Sequence, residues 1–349
     1  MEDYHGLYVE FRPGYARQIR PILTAPSCAA PSSTDCNDYW DAMFKIVAAR
    51  TVEALIALLL MSIVIFFLSR LTGDPVALLL GDGATEADKI KLTRDLGLDQ
   101  PIVIQYLTFL GKALTGDFGR SVAAGNQPAL QLIMARLPAS LSLAGVALAF
   151  TMVVGILFGV MAAVRHNSAV DIAARLIALV GQSVPSFWLG IVLMYVFAVQ
   201  LGWLPTSGYG RWEHYVLPAA TLGLFTLAAI TRLVRSSMLE ALGSEYIKLA
   251  RVKGLSESVV IWKHALANSL IPVVTFMGTF FAVMITGAVI VETVFSWPGI
   301  GRLAYESILA RDFPVVQAVV LVITSLFIIA NLLVDILYVV IDPRMRSRG

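Results

Sequence analysis

The sequence predicts an all-α polytopic membrane protein with a small external domain after its first helix. Of the 349 residues, 58% are apolar and 14% are charged, whereas soluble domains carry roughly 25% charged residues. The mean hydropathy of +0.77 is too high for a single soluble core. Six segments reach the length of about 20 apolar residues that a helix needs to cross a hydrocarbon layer of about 30 Å. Helices satisfy their own backbone hydrogen bonds, which lipid cannot do.

The predicted spans are 46–69, 138–163, 174–200, 215–238, 272–295 and 315–341. The first begins too far into the chain for a cleavable signal peptide, and no small-residue cleavage site follows it, so we expect an uncleaved span. The third carries Pro185 near its middle. We expect a continuous helix there, because neighbouring helices can satisfy the carbonyl that a proline leaves free.

Composition also excludes several function classes. The 26 basic and 24 acidic residues give a net charge of only +2, which is too balanced for a nucleic-acid binder. The apolar excess excludes a soluble enzyme and a disordered chain. Cys28 and Cys36 cannot build a disulfide framework, and we expect free thiols in a reducing compartment.

The placement of Lys and Arg predicts the orientation. After the long connection 70–136 and the far N-terminal residues are discounted, thirteen basic residues lie on one side of the membrane and three on the other. Both termini are therefore predicted to be cytoplasmic. The resulting division is a cytoplasmic tail 1–45, the first transmembrane helix 46–69, an external domain 70–136 with a short helix near 87–96, a five-helix core 137–341 and a cytoplasmic tail 342–349.

The cytoplasmic connection 239–271 is unusually long and polar. Tyr246, Leu249, Ala250 and Lys253 are predicted to share one helical face, and Gly254 is predicted to end that helix. A second amphipathic run, 256–270, is expected to end at Pro272, where the fifth span begins. The pattern alone fits a coupling element that docks a partner and, equally, an interfacial hairpin without one.

One motif in this connection carries a resemblance. Glu245-Tyr246-x-x-x-Ala250-Arg251-x-Lys253-Gly254-Leu255 resembles the cytoplasmic "EAA" loop of binding-protein-dependent ABC importer permeases, in the dipeptide/oligopeptide/nickel branch. Further motifs of that branch follow in order at 73–75, 96–101, 116–121, 136–139, 204–209, 294–303 and 335–346. Two departures are Lys248 and Leu249, which replace the name-giving Glu and first Ala, and the tail 1–44 has no counterpart.

The resemblance implies a permease subunit of a type I ABC importer in the bacterial inner membrane. Its coupling loop would seat in a groove of an ATPase subunit through Glu245, Tyr246, Ala250, Arg251, Lys253, Gly254 and Leu255. Implied partners are a second permease subunit in a heterodimer, two ABC ATPase subunits or domains that bind ATP and Mg²⁺, and an external solute-binding protein. Peptides are the implied substrate, with nickel chelates, opines or another small solute as alternatives.

The sequence offers no catalytic chemistry of its own. It contains no phosphate-binding Gly-x-x-x-x-Gly-Lys-Ser/Thr motif, and its four histidines lack metal-ligand neighbours. We therefore predict no catalytic residue, metal or cofactor in this chain. A stand-alone secondary transporter or channel is the competing class, but the chain of ionisable groups that a proton-coupled carrier needs near the midplane is not visible.

Two further sets of residues are candidates for transport roles. Small and polar residues in the spans predict a translocation path or, alternatively, close helix packing: Gln182, Ser183, Thr221, Thr226, Thr279 and Thr286. Thr279 and Thr286 are seven apart and therefore on one helical stripe. The external domain and the loop 203–209 are the predicted receptor-facing surfaces, the latter through Trp203, Pro205 and Tyr209.

Overall fold

The computed structural model describes residues 33–71, 80, 85–95 and 97–341. The predicted C-terminal tail, most of the N-terminal tail and the motif at 73–75 lie outside the described residues. The described residues from Arg50 onward belong to one compact unit, and the helical residues 33–49 belong to a second.

All the main secondary-structure elements in the described residues are helices. In order these are α1 Ser33–Leu71, α2 Glu86–Asp95, α3 Ile102–Leu114, α4 Ala129–Val164, α5 Ala169–Ser183, α6 Ser186–Leu193, α7 Glu213–Gly243, α8 Glu245–Val252, α9 Leu266–Val294, α10 Ile300–Leu309 and α11 Phe313–Ile341. A π-helical stretch, Met194–Gln200, extends α6, and the short helix Glu257–Val259 with a π-helical stretch, Val260–Ala265, leads into α9.

Five segments in the described residues are long and apolar enough to span a membrane. They are Val47–Leu71 of α1, α4, α7, Phe276–Val294 of α9 and Phe313–Val334 of α11. A sixth span exists if α5 and the extended α6 are counted together, and this pair is bent by 110°. The all-α membrane fold is therefore confirmed.

The expectation of a continuous helix in the third span is wrong. Val184 has ψ 126° and Pro185 has ψ 134°, so both are extended, and Pro185 precedes the first residue of α6. The proline ring disfavours a helical conformation for the residue before it, which makes Val184 a favourable place for the break. The expected helix boundary at Pro272 is also wrong, because α9 runs through it. Pro272 has no backbone N–H to donate within the helix, and α9 nevertheless continues through it.

The core centres on close contact between α4 and α7. A Cβ added to Gly159 of α4 would lie 2.6 Å from Cβ of Val234, and one added to Gly223 of α7 would lie 2.4 Å from Cγ2 of Thr151. Such distances are far below van der Waals contact. Glycine thus allows the two backbones to approach closely, as is common between membrane helices.

A buried carboxylate joins α4, α9 and α10. Ser140 Oγ donates to Glu292 Oε1 at 2.6 Å and accepts from the amide of Ile300 at 2.8 Å, while the amide of Arg302 donates to Glu292 Oε2 at 3.0 Å. Glu292 has no exposed side-chain surface. It therefore supplies a buried partner for the free amides at the start of α10.

The region 85–128 contains two helices, α2 and α3, and one of them contacts the first span. The helix predicted near 87–96 is confirmed as α2, whereas α3 was not predicted. Tyr106 of α3 lies 2.9 Å, oxygen to oxygen, from Ser62 of α1. α4 begins at Ala129, nine residues before the predicted span. α3 thus packs beside the first span.

Candidate functional site

The connection between α7 and α9 forms a compact helix–turn–helix. Ser244 is extended with ψ 156° and separates α7 from α8. Gly254 has φ +77° and its amide donates to the carbonyl of Arg251 at 2.9 Å, while the amide of Leu255 donates to the carbonyl of Ala250 at 3.3 Å. These bonds close the C-terminus of α8 through a left-handed glycine. The helix end predicted at Gly254 is confirmed.

One face of α8 is anchored in the core. Ile247 is fully buried and Ala250 nearly so. They belong to one apolar cluster with side chains of α4, α7 and the segment before α9: Val160, Ala163, Val234, Met238, Ala241, Val260 and Ala265. A displacement of α8 would therefore be passed directly to two membrane-spanning helices.

The opposite surface of α8, here called the outer face, consists of Tyr246, Leu249 and Val252. All three are exposed, and Val252 is 84% exposed. Exposed apolar side chains clustered on a short helix are typical of a protein-interaction surface. The predicted grouping is therefore only partly correct, because Ala250 belongs to the buried face.

Charged residues flank the outer face and brace the turn. Lys248 Nζ lies 2.7 Å from Glu245 Oε1 within α8. Arg251 Nη2 donates to Glu257 Oε1 at 2.7 Å, across the turn at Gly254. This hydrogen bond lowers the pKa of the Glu257 carboxyl. The other predicted coupling residues, Glu245, Tyr246, Arg251, Lys253, Gly254 and Leu255, are all exposed.

A buried ion pair lies between α5 and α7. Arg235 donates to both carboxylate oxygens of Asp171, with Nη2 to Oδ2 at 2.9 Å, and the Asp171 side chain is fully buried. The amide of Asn167 also donates to Asp171 at 3.0 Å. This pair was not predicted from the sequence. Ser168, three residues before Asp171, forms a helix-capping pattern that indicates the position of Asp171 at the start of α5 but does not indicate its partner Arg235.

The predicted path residues differ in their exposure. Thr221 and Thr226 are buried, and Thr221 Oγ1 donates to the carbonyl of Leu217 at 2.8 Å. Thr279 and Thr286 are exposed on α9. Gln182 is half-buried and accepts from Arg232 Nη2 at 2.8 Å, and Ser183 is exposed. Within the part of the chain that the structure describes, no group of three His, Cys, Asp or Glu could hold a metal ion.

The predicted receptor-facing residues lie on the loop between α6 and α7. Trp203 is 70% exposed and Tyr209 is also exposed, while Pro205 is half-buried. The Tyr209 ring packs edge-on against the buried Trp297 ring, with the ring centroids 5.0 Å apart. Trp297 Nε1 donates a hydrogen bond to the carbonyl of Ala139 at 2.9 Å. The loop is therefore tied to α4 and to the segment after α9.

These features define a polytopic helical membrane protein with a helix–turn–helix that is packed on its core and exposed on its other side. The chain belongs to the family described as binding-protein-dependent transport system inner membrane component. The model of that family matches residues 155–347, and the model of the N-terminal region of these membrane components matches residues 43–144.

Two similar proteins cover most of the chain. A Brucella abortus (strain 2308) protein with the provisional name of a peptide transport system permease protein is 42% identical over 313 residues, covering 87% of this chain and 99% of the relative. The glutathione transport system permease protein GsiC of Escherichia coli (strain K12) is 41% identical over 308 residues, covering 88% and 100%. The match therefore extends over the relatives' full length.

Among solved structures, a chain from the crystal structure of an amino acid ABC transporter with histidines superposes with a TM-score of 0.45 at 18% identity. The match covers 61% of this chain and 94% of that chain. This likeness is too low to support an argument about mechanism.

Proposed function

We propose that this chain is the membrane permease subunit of an ATP-driven ABC importer for peptides, which an external solute-binding protein delivers. Family membership supports the binding-protein-dependent importer, and relatives at 42% and 41% identity named for peptide and glutathione transport support the substrate class. Nickel chelates, opines and other small solutes are the alternative substrates.

The observation that carries this proposal is the two-sided environment of α8. Its outer face is open for a partner, while Ile247 and Ala250 are packed against α4 and α7. An ATPase subunit that grips the outer face could therefore move membrane-spanning helices and alternate the access of a central path. ATP and Mg²⁺ would bind to that partner, since this sequence lacks a phosphate-binding loop.

The remaining parts of the proposal concern assembly and orientation. We assign both termini and α8 to the cytoplasmic side of the bacterial inner membrane, because thirteen basic residues lie on that side. A second permease subunit would complete the translocation path. We assign the exposed side chains of Ser183, Thr279 and Thr286 to the wall of that path. Trp203 and Tyr209 would then face the solute-binding protein.

A charge on the outer face tests the docking proposal. In the intact importer, Val252→Asp should reduce both co-purification of the ATPase subunits and ATP-dependent uptake, because it places a charge in an apolar contact. Ile90→Asp is the control, since Ile90 is also exposed, at 61%, but lies on α2. If both variants retain the ATPase and transport equally, α8 is not the docking element.

A second experiment separates the importer from the competing class. The purified chain is reconstituted alone in liposomes and assayed for uptake of a labelled dipeptide under an imposed proton gradient and without it. The proposal predicts no uptake. Uptake by the chain alone would identify a stand-alone transporter or channel instead.

A further inference from the structure

The surface of α3 is unusually apolar for a helix outside the predicted spans. Lys112, in its last turn, is its only charged residue, and none of its residues is buried. Five of its large apolar side chains are exposed, whereas Phe109 and Leu110 are half-buried. The exposed ones are Ile102, Val103, Ile104, Leu107 and Leu114. A soluble surface rarely carries such a contiguous apolar patch without a covering partner.

The contacts of α3 with α1 fix its position along the first span. The Tyr106 hydroxyl meets Ser62 at 2.9 Å, and the rings of Tyr106 and Phe109 each lie 5.5 Å from the ring of Phe66. Phe66 is 1% exposed. α3 therefore covers one side of α1 at Ser62 and Phe66.

These contacts lie at the depth of the hydrocarbon. Ser62 and Phe66 precede the end of the span at Leu71 by nine and five residues. At 1.5 Å per residue they lie about 13 Å and about 8 Å inside that end. One leaflet contributes about 15 Å of hydrocarbon, so Tyr106 and Phe109 pack within a single leaflet.

Two polar side chains of α3 donate hydrogen bonds to nearby backbone carbonyls, while Gln105 Oε1 is buried without a hydrogen-bond partner among the described residues. Thr108 Oγ1 donates to the carbonyl of Ile104 at 2.9 Å. Gln105 Nε2 donates to the carbonyls of Leu98 at 3.0 Å and Gln100 at 2.7 Å. The neighbouring α2 differs, because six of its ten residues are charged and favour contact with water: Glu86, Asp88, Lys89, Lys91, Arg94 and Asp95.

We propose that α3 is embedded in the leaflet at the C-terminal end of α1, with its exposed apolar side chains against lipid acyl chains. The end of α1 that α3 contacts also carries exposed apolar side chains, namely Val64, Phe67, Leu68 and Leu71. The first span then has a second, membrane-embedded helix beside it. Residues 102–114 would therefore not belong to the water-exposed part of the external region. This inference is independent of the transported solute and of the ATPase.

Spin-label accessibility in the reconstituted importer tests the position of α3. Cys28 and Cys36 are first replaced. A nitroxide is then attached to a single cysteine at Leu107 of α3, at Leu60 of α1 or at Ile90 of α2, which are 58%, 57% and 61% exposed. Power saturation compares collisions with oxygen, which concentrates in lipid, and with a water-soluble nickel chelate.

The proposal predicts that the oxygen-to-nickel collision ratio at position 107 matches that at position 60 and exceeds that at position 90. A ratio at 107 equal to that at 90 would place α3 in water and overturn the proposal. Low collision rates with both reagents at 107 would also overturn it, because they would show that another protein surface covers the helix. All three sites are exposed, so the labels should not disturb folding.

Discussion

Replacing Gly254 should uncouple ATP hydrolysis from transport without affecting membrane insertion. Gly254 has φ +77°, and a Cβ added there would meet nothing within 4 Å. The cost of a side chain is therefore backbone strain alone, about 1–2 kcal/mol for most L-residues in the left-handed region. That strain would reduce the equilibrium ratio of closed to open turns by a factor of about 5–30. Arg251 and Glu257, which bridge the turn, would then lose their alignment.

The assay measures ATPase activity and peptide uptake by the intact importer in proteoliposomes, with membrane insertion checked by fractionation. Gly254→Val should lose coupled uptake, whereas Gly254→Asn should retain much of it, because Asn tolerates left-handed conformations. Gly243→Val is the matched control, since Gly243 also has open space around it but no positive φ. Unchanged uptake in Gly254→Val would refute the reasoning. Equal loss in Gly254→Asn would show that side-chain volume matters and not backbone strain.

Three further predictions concern the membrane core, each measured as thermal unfolding in detergent. Gly159→Leu should lower the unfolding midpoint, because it breaks the close contact of α4 and α7. Gly145→Leu should leave the midpoint nearly unchanged, because a Cβ at Gly145 meets nothing within 4 Å. Equal midpoints for the two variants would contradict the packing argument. Arg235→Ala should destabilise the fold by about 1–3 kcal/mol, because the buried Asp171 loses its bidentate partner and of its ionisable partners keeps only Arg175 and His166, at 3.4 Å and 3.5 Å. Adding Asp171→Asn should restore part of the loss, and an unchanged unfolding midpoint in Arg235→Ala would contradict the prediction. Glu292→Gln should cost about 1–3 kcal/mol, since the amide would direct a donor at groups that already donate; a variant as stable as the original would argue against this capping role.

The prolines show where sequence reasoning about the helices succeeds and where it ends. Pro138, Pro218 and Pro272 lie inside α4, α7 and α9 without ending them, whereas Pro185 separates α5 from α6 by a bend of 110°. Each proline removes the same donor. The outcome depends on packing from distant segments, which a local pattern does not contain.

The candidate site divides in the same way. The helix end at Gly254 was predictable, because a glycine that ends an amphipathic run follows a local rule. The contact of Asp171 with Arg235 joins residues 64 apart in the chain, and no local rule selects that partner. α3 was missed because its 13 residues are too few to span a membrane.

The most direct test of the central claim is transport by the assembled importer. The chain is reconstituted with its second permease, its ATPase subunits and the solute-binding protein loaded with a labelled peptide. We predict peptide accumulation that requires ATP inside the partner-containing vesicles and that is lost when the ATPase subunits are omitted. Accumulation that persists without ATP or without the ATPase subunits would contradict the account.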